Sequence, residues 1–168
     1  MIKSFNGKSP KIADSAFVSE TAYIVGDVEI GENSSVWPGT VIRGDHAKIT
    51  IGKNTQIEDN CTVHTGFPMF IGDNVHIGHN VVVHCKCIGD TTLIGNHATL
   101  LDYAEIGEFC VVGAGALVPQ GMNIPDRSFV VGVPAKVKGE VSDERIAITK
   151  QSVDIYCKMS KEYKEQGL

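Results

Sequence analysis

The chain has 168 residues, of which 42% are apolar and 21% charged, so its composition excludes a disordered chain and suits one domain with a hydrophobic core. The 20 Asp and Glu against 15 Lys and Arg give a net charge of −5, which disfavours a nucleic-acid-binding protein. No apolar run is long enough for a membrane span or a signal segment, and the five cysteines lack the spacing of a disulfide framework. We therefore expect a cytoplasmic protein with reduced thiols and no membrane partner.

A six-residue repeat organises most of the chain. A period of six fits neither a helix nor an uninterrupted strand, but it does fit short strands joined by tight corners, with one aliphatic residue per repeat pointing inward. Three repeats form a triangular coil, and the coils stack like strands in a sheet. The pattern predicts an all-β fold, a parallel β-helix. The repeating aliphatic residues are Ile30, Val36 and Ile42; Ile51, Ile57 and Val63; Ile71, Ile77 and Val83; and Ile88, Ile94, Leu100, Ile106, Val112 and Val118.

The repeat is interrupted three times, at 44–50, 65–70 and 84–87. Loops or irregular coils are expected there, and loops are where such a scaffold carries function.

The end of the chain has a different pattern. Ser142 followed by two acidic residues is typical of a helix start, and the pattern predicts one helix over 142–165, packed along the β-helix. We therefore divide the chain into a β-helix domain, 1–141, which carries the candidate site, and a C-terminal helical segment, 142–168. The apolar residues at helical spacing are Ile146, Val153, Tyr156 and Tyr163.

Two histidines are predicted to stack at one corner. His64 follows Val63 and His84 follows Val83, and these two valines are three repeats, or one full coil, apart. The histidines should therefore lie about 4.8 Å apart, close enough for one divalent metal to take a nitrogen from each. Arg43 lies one coil earlier in the same column.

His79 lies on the preceding face of the β-helix. The extended chain between it and His84 spans roughly 16 Å, too far for two diverging imidazoles to share a zinc at about 2.0–2.1 Å. If His79 completes the site, it comes from another copy of the chain, which predicts a homotrimer with three inter-subunit sites. Three histidines with an open fourth position are the pattern of a catalytic zinc. His76 and His97 are interpreted as ordinary surface histidines.

At these residues the sequence resembles the gamma-class carbonic anhydrases, in the branch of shorter bacterial homologues. The resemblance implies a left-handed β-helix, a trimer, and zinc (or iron or cobalt) held by His64 and His84 of one subunit and His79 of the next. It also implies reversible hydration of CO2 to bicarbonate by metal-bound hydroxide. The motifs that carry it are Val36-Trp37-Pro38-Gly39, Ile42-Arg43-Gly44-Asp45, Ile57-Glu58-Asp59, Val63-His64, Ile77-Gly78-His79, Val83-His84 and Val131-Gly132-Val133-Pro134-Ala135-Lys136.

Three residues are candidates for supporting the catalysis. The resemblance implies that Arg43 and Asp45 form an ion pair at the subunit interface. Glu58 stands where the family's archetype has Gln, and an ionised Glu can only accept a hydrogen bond. The archetype's long acidic loop, which carries a proton-shuttling Glu, is replaced by the short segment 65–70, which predicts modest turnover or none. Shuttle candidates are Glu58, His46 and Tyr103.

Two other functions remain open on the sequence. One is a coenzyme A-dependent acyltransferase or thioesterase, which would use one histidine as a base and would not need three. The other is a non-catalytic metal-binding or assembly protein. The fold does not choose among them. Cys85 and Cys87 lie beside His84 and are interpreted as structural thiols, with oxidation that disturbs the site as the alternative.

Overall fold

The computed structural model describes residues 1–168 and consists of twenty short strands and one helix. The strands of the first half are β1 (Ile2–Lys3), β2 (Lys11–Ile12), β3 (Phe17–Val18), β4 (Tyr23–Ile30), β5 (Ser35–Val36), β6 (Val41–Ile51), β7 (Gln56–Ile57), β8 (Thr62–His64), β9 (Met69–Ile71) and β10 (His76–Ile77). The remaining elements are β11 (Val82–Val83), β12 (Cys87–Ile88), β13 (Leu93–Ile94), β14 (Thr99–Leu100), β15 (Glu105–Ile106), β16 (Val111–Val112), β17 (Leu117–Val118), β18 (Asn123–Ile124), β19 (Ser128–Gly132), β20 (Ala135–Glu140) and α1 (Asp143–Gln166).

The predicted parallel β-helix is confirmed. Nearly every strand pairs in parallel with the equivalent strand of the next coil, and the stacked strands form the three faces of a prism. One sheet of 12 strands wraps around two faces, because β4 and β6 continue around the corner between them. The third face is an 8-stranded sheet, in which β3, β5, β7, β10, β13, β16 and β19 run in parallel and β20 turns back antiparallel.

The core is a column of aliphatic side chains inside the prism. Val63 pairs in register with Ile42 below and Val83 above, so the repeating aliphatic residues lie one over another. They belong to one cluster of 32 buried residues. Small residues four positions after most of these aliphatic residues are buried as well, which keeps the prism narrow. These small or slim residues are Ser34, Thr40, Thr55, Cys61, Val75, Val81, Thr92, Ala98, Ala104, Cys110 and Ala116.

Many corners of the coils use a residue in the left-handed region, and Asn is the commonest. Five Asn residues lie at such corners, and His97, Tyr103 and Phe109 also have φ of 56–60°. The cost of that backbone conformation is offset because a corner amide bonds to the neighbouring coil, as His97 N–H does to the carbonyl of His79 at 2.9 Å. The Asn corners of the coils are Asn33, Asn54, Asn60, Asn74 and Asn80.

The predicted C-terminal helix is confirmed as α1, and it covers the third face. Ser142 caps it by accepting a hydrogen bond from the backbone N–H of Arg145. Tyr156 and Tyr163 pack edge-on against Trp37, with ring centroids 5.5 and 5.0 Å away. Trp37 is therefore buried outside the narrow prism, beneath the helix. No helix of the structure has an apolar stretch long enough to cross a membrane.

The close stacking of the coils makes a specific prediction for Gly89. A Cβ at this position would lie 2.6 Å from the backbone nitrogen of Glu108 on the next coil, and backbone cannot move aside cheaply. We expect Gly89→Ala to lower the free energy of unfolding by about 1–3 kcal/mol, as overpacking does elsewhere. Gly139→Ala is the matched control, because nothing lies within 4 Å of its Cβ. Urea unfolding at equal protein concentration measures both, and equal stability of the two variants would contradict the packing described here.

Candidate functional site

His64 and His84 stack at one corner of the prism, as their spacing predicts. Their ring centroids lie 5.4 Å apart and the rings are tilted by 54°. His84 Nδ1 faces Asp102 Oδ1 at 3.1 Å, and His64 Nε2 faces Asp45 Oδ1 at 3.1 Å. Each ring is thus oriented by a carboxylate through one nitrogen, which leaves the other nitrogen available, the usual outer-shell arrangement of a metal-binding histidine.

Arg43 and Asp45 support this pair from the coil below. Arg43 pairs in register with His64, and its guanidinium forms an ion pair with the same carboxylate that binds His64. Burial raises the pKa of Asp45, but Arg43 and His64 together lower it by more than burial raises it. The pKa of Asp45 therefore lies below its ordinary value. Burial and Arg43 together also hold the pKa of His64 below its ordinary value. The His64 imidazole is therefore neutral at neutral pH, which is the form that binds a metal.

His79 lies at a different corner and does not join His64 and His84 within one chain. Its ring is flanked by two carboxylates: Asp59 Oδ2 is 3.0 Å from Nδ1 and Glu58 Oε2 is 2.8 Å from Nε2. No set of three or more His, Cys, Asp or Glu side chains in a single chain converges to hold a metal ion. The chain by itself offers two stacked imidazoles at one corner and a third imidazole at another.

Glu58 is buried at the end of the third face, next to His79. It is only 3% exposed, and its other oxygen, Oε1, lies 2.7 Å from His76 Nε2. Burial raises the pKa of Glu58, but interactions with His76 and with the Tyr156 hydroxyl outweigh it, so the pKa lies below its ordinary value. Glu58 is therefore a buried carboxylate that stays ionised at neutral pH.

The interpretation of His76 as a surface histidine is wrong. The residue is 6% exposed because α1 covers it, and its Nδ1 lies 3.0 Å from the Ser152 hydroxyl on that helix. His76 directly precedes an inward aliphatic residue, so its side chain points outward from the prism. The sequence predicted a helix on the prism but not which face it covers. His97, in contrast, is exposed as expected.

The other shuttle candidates lie close to the His64 corner. His46 is exposed, and its ring centroid is 6.2 Å from that of His64. Tyr103 is exposed and stacks on Phe67 with ring centroids 4.3 Å apart. Tyr103 directly follows Asp102, the partner of His84, and Phe67 lies in the segment that follows His64. Of the three segments predicted to be loops or irregular coils, 65–70 and 84–87 contain the connections from β8 to β9 and from β11 to β12, whereas 44–50 is not a loop but part of the continuous strand β6.

Comparisons with known proteins agree with these features. The family model for the bacterial transferase hexapeptide (six repeats) matches residues 9–44. A Methanocaldococcus jannaschii protein named "Probable carbonic anhydrase" is 47% identical over 151 residues, which are 89% of this chain and 95% of that protein. "Gamma carbonic anhydrase 2, mitochondrial" of Arabidopsis thaliana is 38% identical to this chain, and the match covers 91% of this chain. This chain spans only 58% of the length of that protein.

A solved structure supports the same fold. The structure of a hexapeptide transferase family protein from Anaplasma phagocytophilum superposes with a TM-score of 0.94 at 36% identity. The superposition covers 97% of this chain and 98% of that one.

The thiols give a test of how tightly the His84 corner is packed. Cys61, Cys85 and Cys110 are buried, and burial raises the pKa of each, that of Cys61 to about 12. We expect these three to resist Ellman's reagent at about pH 8 until the protein is unfolded, so that only the half-buried Cys87 and Cys157 react in the native protein. Rapid labelling of Cys85 in the native state would show instead that the corner opens.

The ionised Glu58 predicts a pH-dependent stability. Because its pKa is lowered on folding, its ionisation stabilises the protein above the ordinary value of 4.5 and loses this effect as the pH falls below it. Between about pH 7 and about pH 3.5, wild type should lose more of its free energy of unfolding than Glu58→Gln does. Urea unfolding of the two proteins across this range measures the difference. Parallel pH profiles would show that folding does not lower the pKa of Glu58.

Proposed function

Since this chain belongs to the family of the gamma-class carbonic anhydrases, we propose that it is a metal-dependent enzyme that hydrates CO2 reversibly to bicarbonate. In this proposal a zinc ion, or iron or cobalt in the cell, is held by His64 and His84 of one subunit and by His79 of the partner subunit. The protein is then a homotrimer with its sites between subunits.

The observation that carries the proposal is the stacked pair of His64 and His84. Two half-buried imidazoles 5.4 Å apart, each oriented by a carboxylate, form a donor set suited to zinc, iron or cobalt. The positive charge of Arg43, in the same column, would repel a metal ion, but Asp45 neutralises that charge in an ion pair. The donor chemistry of this corner therefore fits a metal.

A third ligand from another copy of the chain is supported by the position of His79. Within one chain it lies around the prism from His64, with no convergence of three such groups. Its side chain is 42% exposed, so a neighbouring prism can reach the ring, although each ring nitrogen faces a carboxylate within the chain. In a closed ring of three chains, the contact between His79 of one chain and the His64–His84 pair of the next is repeated three times. Every copy of these three histidines then belongs to a site.

The metal, when bound, acts as a Lewis acid that makes water ionise near neutral pH, which is the chemistry that CO2 hydration needs. Asp45 and Asp102 hold the rings of His64 and His84 in orientation through their second nitrogens. Arg43 keeps Asp45 ionised and fixed. His46 is exposed beside His64 and is in position to carry a proton to solvent at a ring nitrogen.

Metal content tests this assignment. Protein purified without chelator should contain one metal ion per chain and have the mass of a trimer in solution. His79→Ala should lose the metal and CO2 hydration, because a site with two imidazoles binds zinc far more weakly. His97→Ala is the matched control, since His97 is exposed and lies on the coil next to His79. A metal-free trimer after anaerobic reconstitution with zinc, iron and cobalt would overturn the proposal.

A second candidate, an acyltransferase that uses coenzyme A, is favoured by one finding. The Anaplasma phagocytophilum relative, which superposes over nearly its whole length, is named a hexapeptide transferase family protein. An acyltransferase would turn over acyl-coenzyme A with a single histidine base and without metal. Acyl transfer that survives His79→Ala and chelation, with no CO2 hydration, would favour this candidate over the anhydrase.

A further inference from the structure

The least expected feature of the molecule is a buried pair of ionisable side chains beneath α1. Glu58 and His76 are 3% and 6% exposed, and an ionised carboxylate at that depth is costly unless it is well hydrogen-bonded. Every buried polar side-chain atom of the chain nevertheless has a partner. The pair must therefore be held by its surroundings, and those surroundings are specific.

The contacts form a continuous chain from α1 to His79. Ser152 on the helix bonds to His76 Nδ1 at 3.0 Å, and His76 Nε2 bonds to Glu58 Oε1 at 2.7 Å. The second oxygen of Glu58 lies 2.8 Å from His79 Nε2. Tyr156, one helical turn beyond Ser152, packs edge-on against the His76 ring with centroids 4.9 Å apart. A carboxylate held at one oxygen has little freedom to turn, so the direction of the other oxygen is fixed.

The neighbouring coil shows that the fold does not require a histidine here. Leu93 is the in-register partner of His76 on the next coil of the same face, and it packs as an ordinary apolar residue. His76 therefore brings to this position something that an apolar residue of similar size does not, namely two ring nitrogens that connect a helix hydroxyl to a carboxylate.

We propose that His76 is a positioning residue, which links α1 to the metal site by fixing the Glu58 carboxylate against the imidazole of His79. This inference rests on the proposed function, in which His79 is the ligand that each subunit presents to its neighbour. His76 does not touch the metal or the substrate. It restrains the ring of His79 through Glu58, while Asp59 holds the other ring nitrogen at 3.0 Å. Ordering a ligand before binding removes part of the entropy cost of binding.

The test measures metal affinity in a double-mutant cycle. His76→Leu, which copies Leu93, should weaken zinc binding by the full-length protein about tenfold or more, the usual effect of losing an outer-shell partner. In a Glu58→Gln background the same substitution should change the affinity by less than about threefold, because its effect passes through the carboxylate. Competition with a chelator of known zinc affinity gives these values, with trimer mass checked for each variant.

A merely structural role would give a different result. If His76→Leu weakens zinc binding equally in both backgrounds, or not at all, the proposal is overturned. Ser152→Ala is a milder second variant in case His76→Leu does not fold, since it removes only the hydroxyl that holds His76 Nδ1. It should weaken zinc binding in the same direction, and again only when Glu58 is present.

A metal-free measurement separates this inference from the proposed function. In protein stripped of metal, proton–nitrogen correlation spectra of the imidazole rings report the environment of both nitrogens of His79. His76→Leu should shift the His79 signals, whereas the same substitution in Glu58→Gln protein should leave them nearly unchanged. Unshifted His79 signals overturn the positioning role, while a wild type that binds no zinc but shows these shifts overturns only the metal function.

Discussion

The hydrogen bonding of each coil to the next in a fixed register is the constraint on which the rest of the structure depends. It places Val63 between Ile42 and Val83, so that one aliphatic side chain per repeat fills a continuous column. The same register necessarily stacks whatever follows those residues. His64 and His84 are adjacent because the core residues before them are adjacent, and a candidate metal site arises at a corner without any change in the path of the backbone.

The register also explains how far the sequence could predict the molecule. A strict period of six identifies the coils and their alignment, so the stacking of His64 with His84 follows from counting residues. It could not identify the face that α1 covers, because the apolar residues of the helix indicate only that one side is buried. His76 was therefore assigned to the surface, although it lies beneath the helix. The pairing of Asp102 with His84 was also missed, since a corner carboxylate carries no periodic signal.

Carboxylates surround all three candidate ligands, and their distribution is uneven. His64 and His84 each meet one carboxylate, which leaves a ring nitrogen available, whereas His79 meets one at each nitrogen. One of its two carboxylates must therefore release a ring nitrogen of His79 when a metal binds there, and the positioning role proposed for Glu58 requires that this carboxylate is Asp59. The isolated chain thus holds its third imidazole in place with a residue that belongs to the network under α1. In the proposed trimer, substitutions in the helix would in this way affect a metal site shared with the neighbouring subunit.

The central claim is that the metal lies between two copies of the chain, and mixing two inactive variants tests it most directly. Neither His79→Ala nor His64→Ala should bind metal alone, because each lacks a ligand at every interface. A mixed trimer contains one interface at which an intact His64–His84 pair meets an intact His79. The account therefore predicts one metal ion per mixed trimer, isolated by two different affinity tags, together with partial recovery of CO2 hydration. Mixed trimers that remain free of metal, while wild type binds it, would contradict the account.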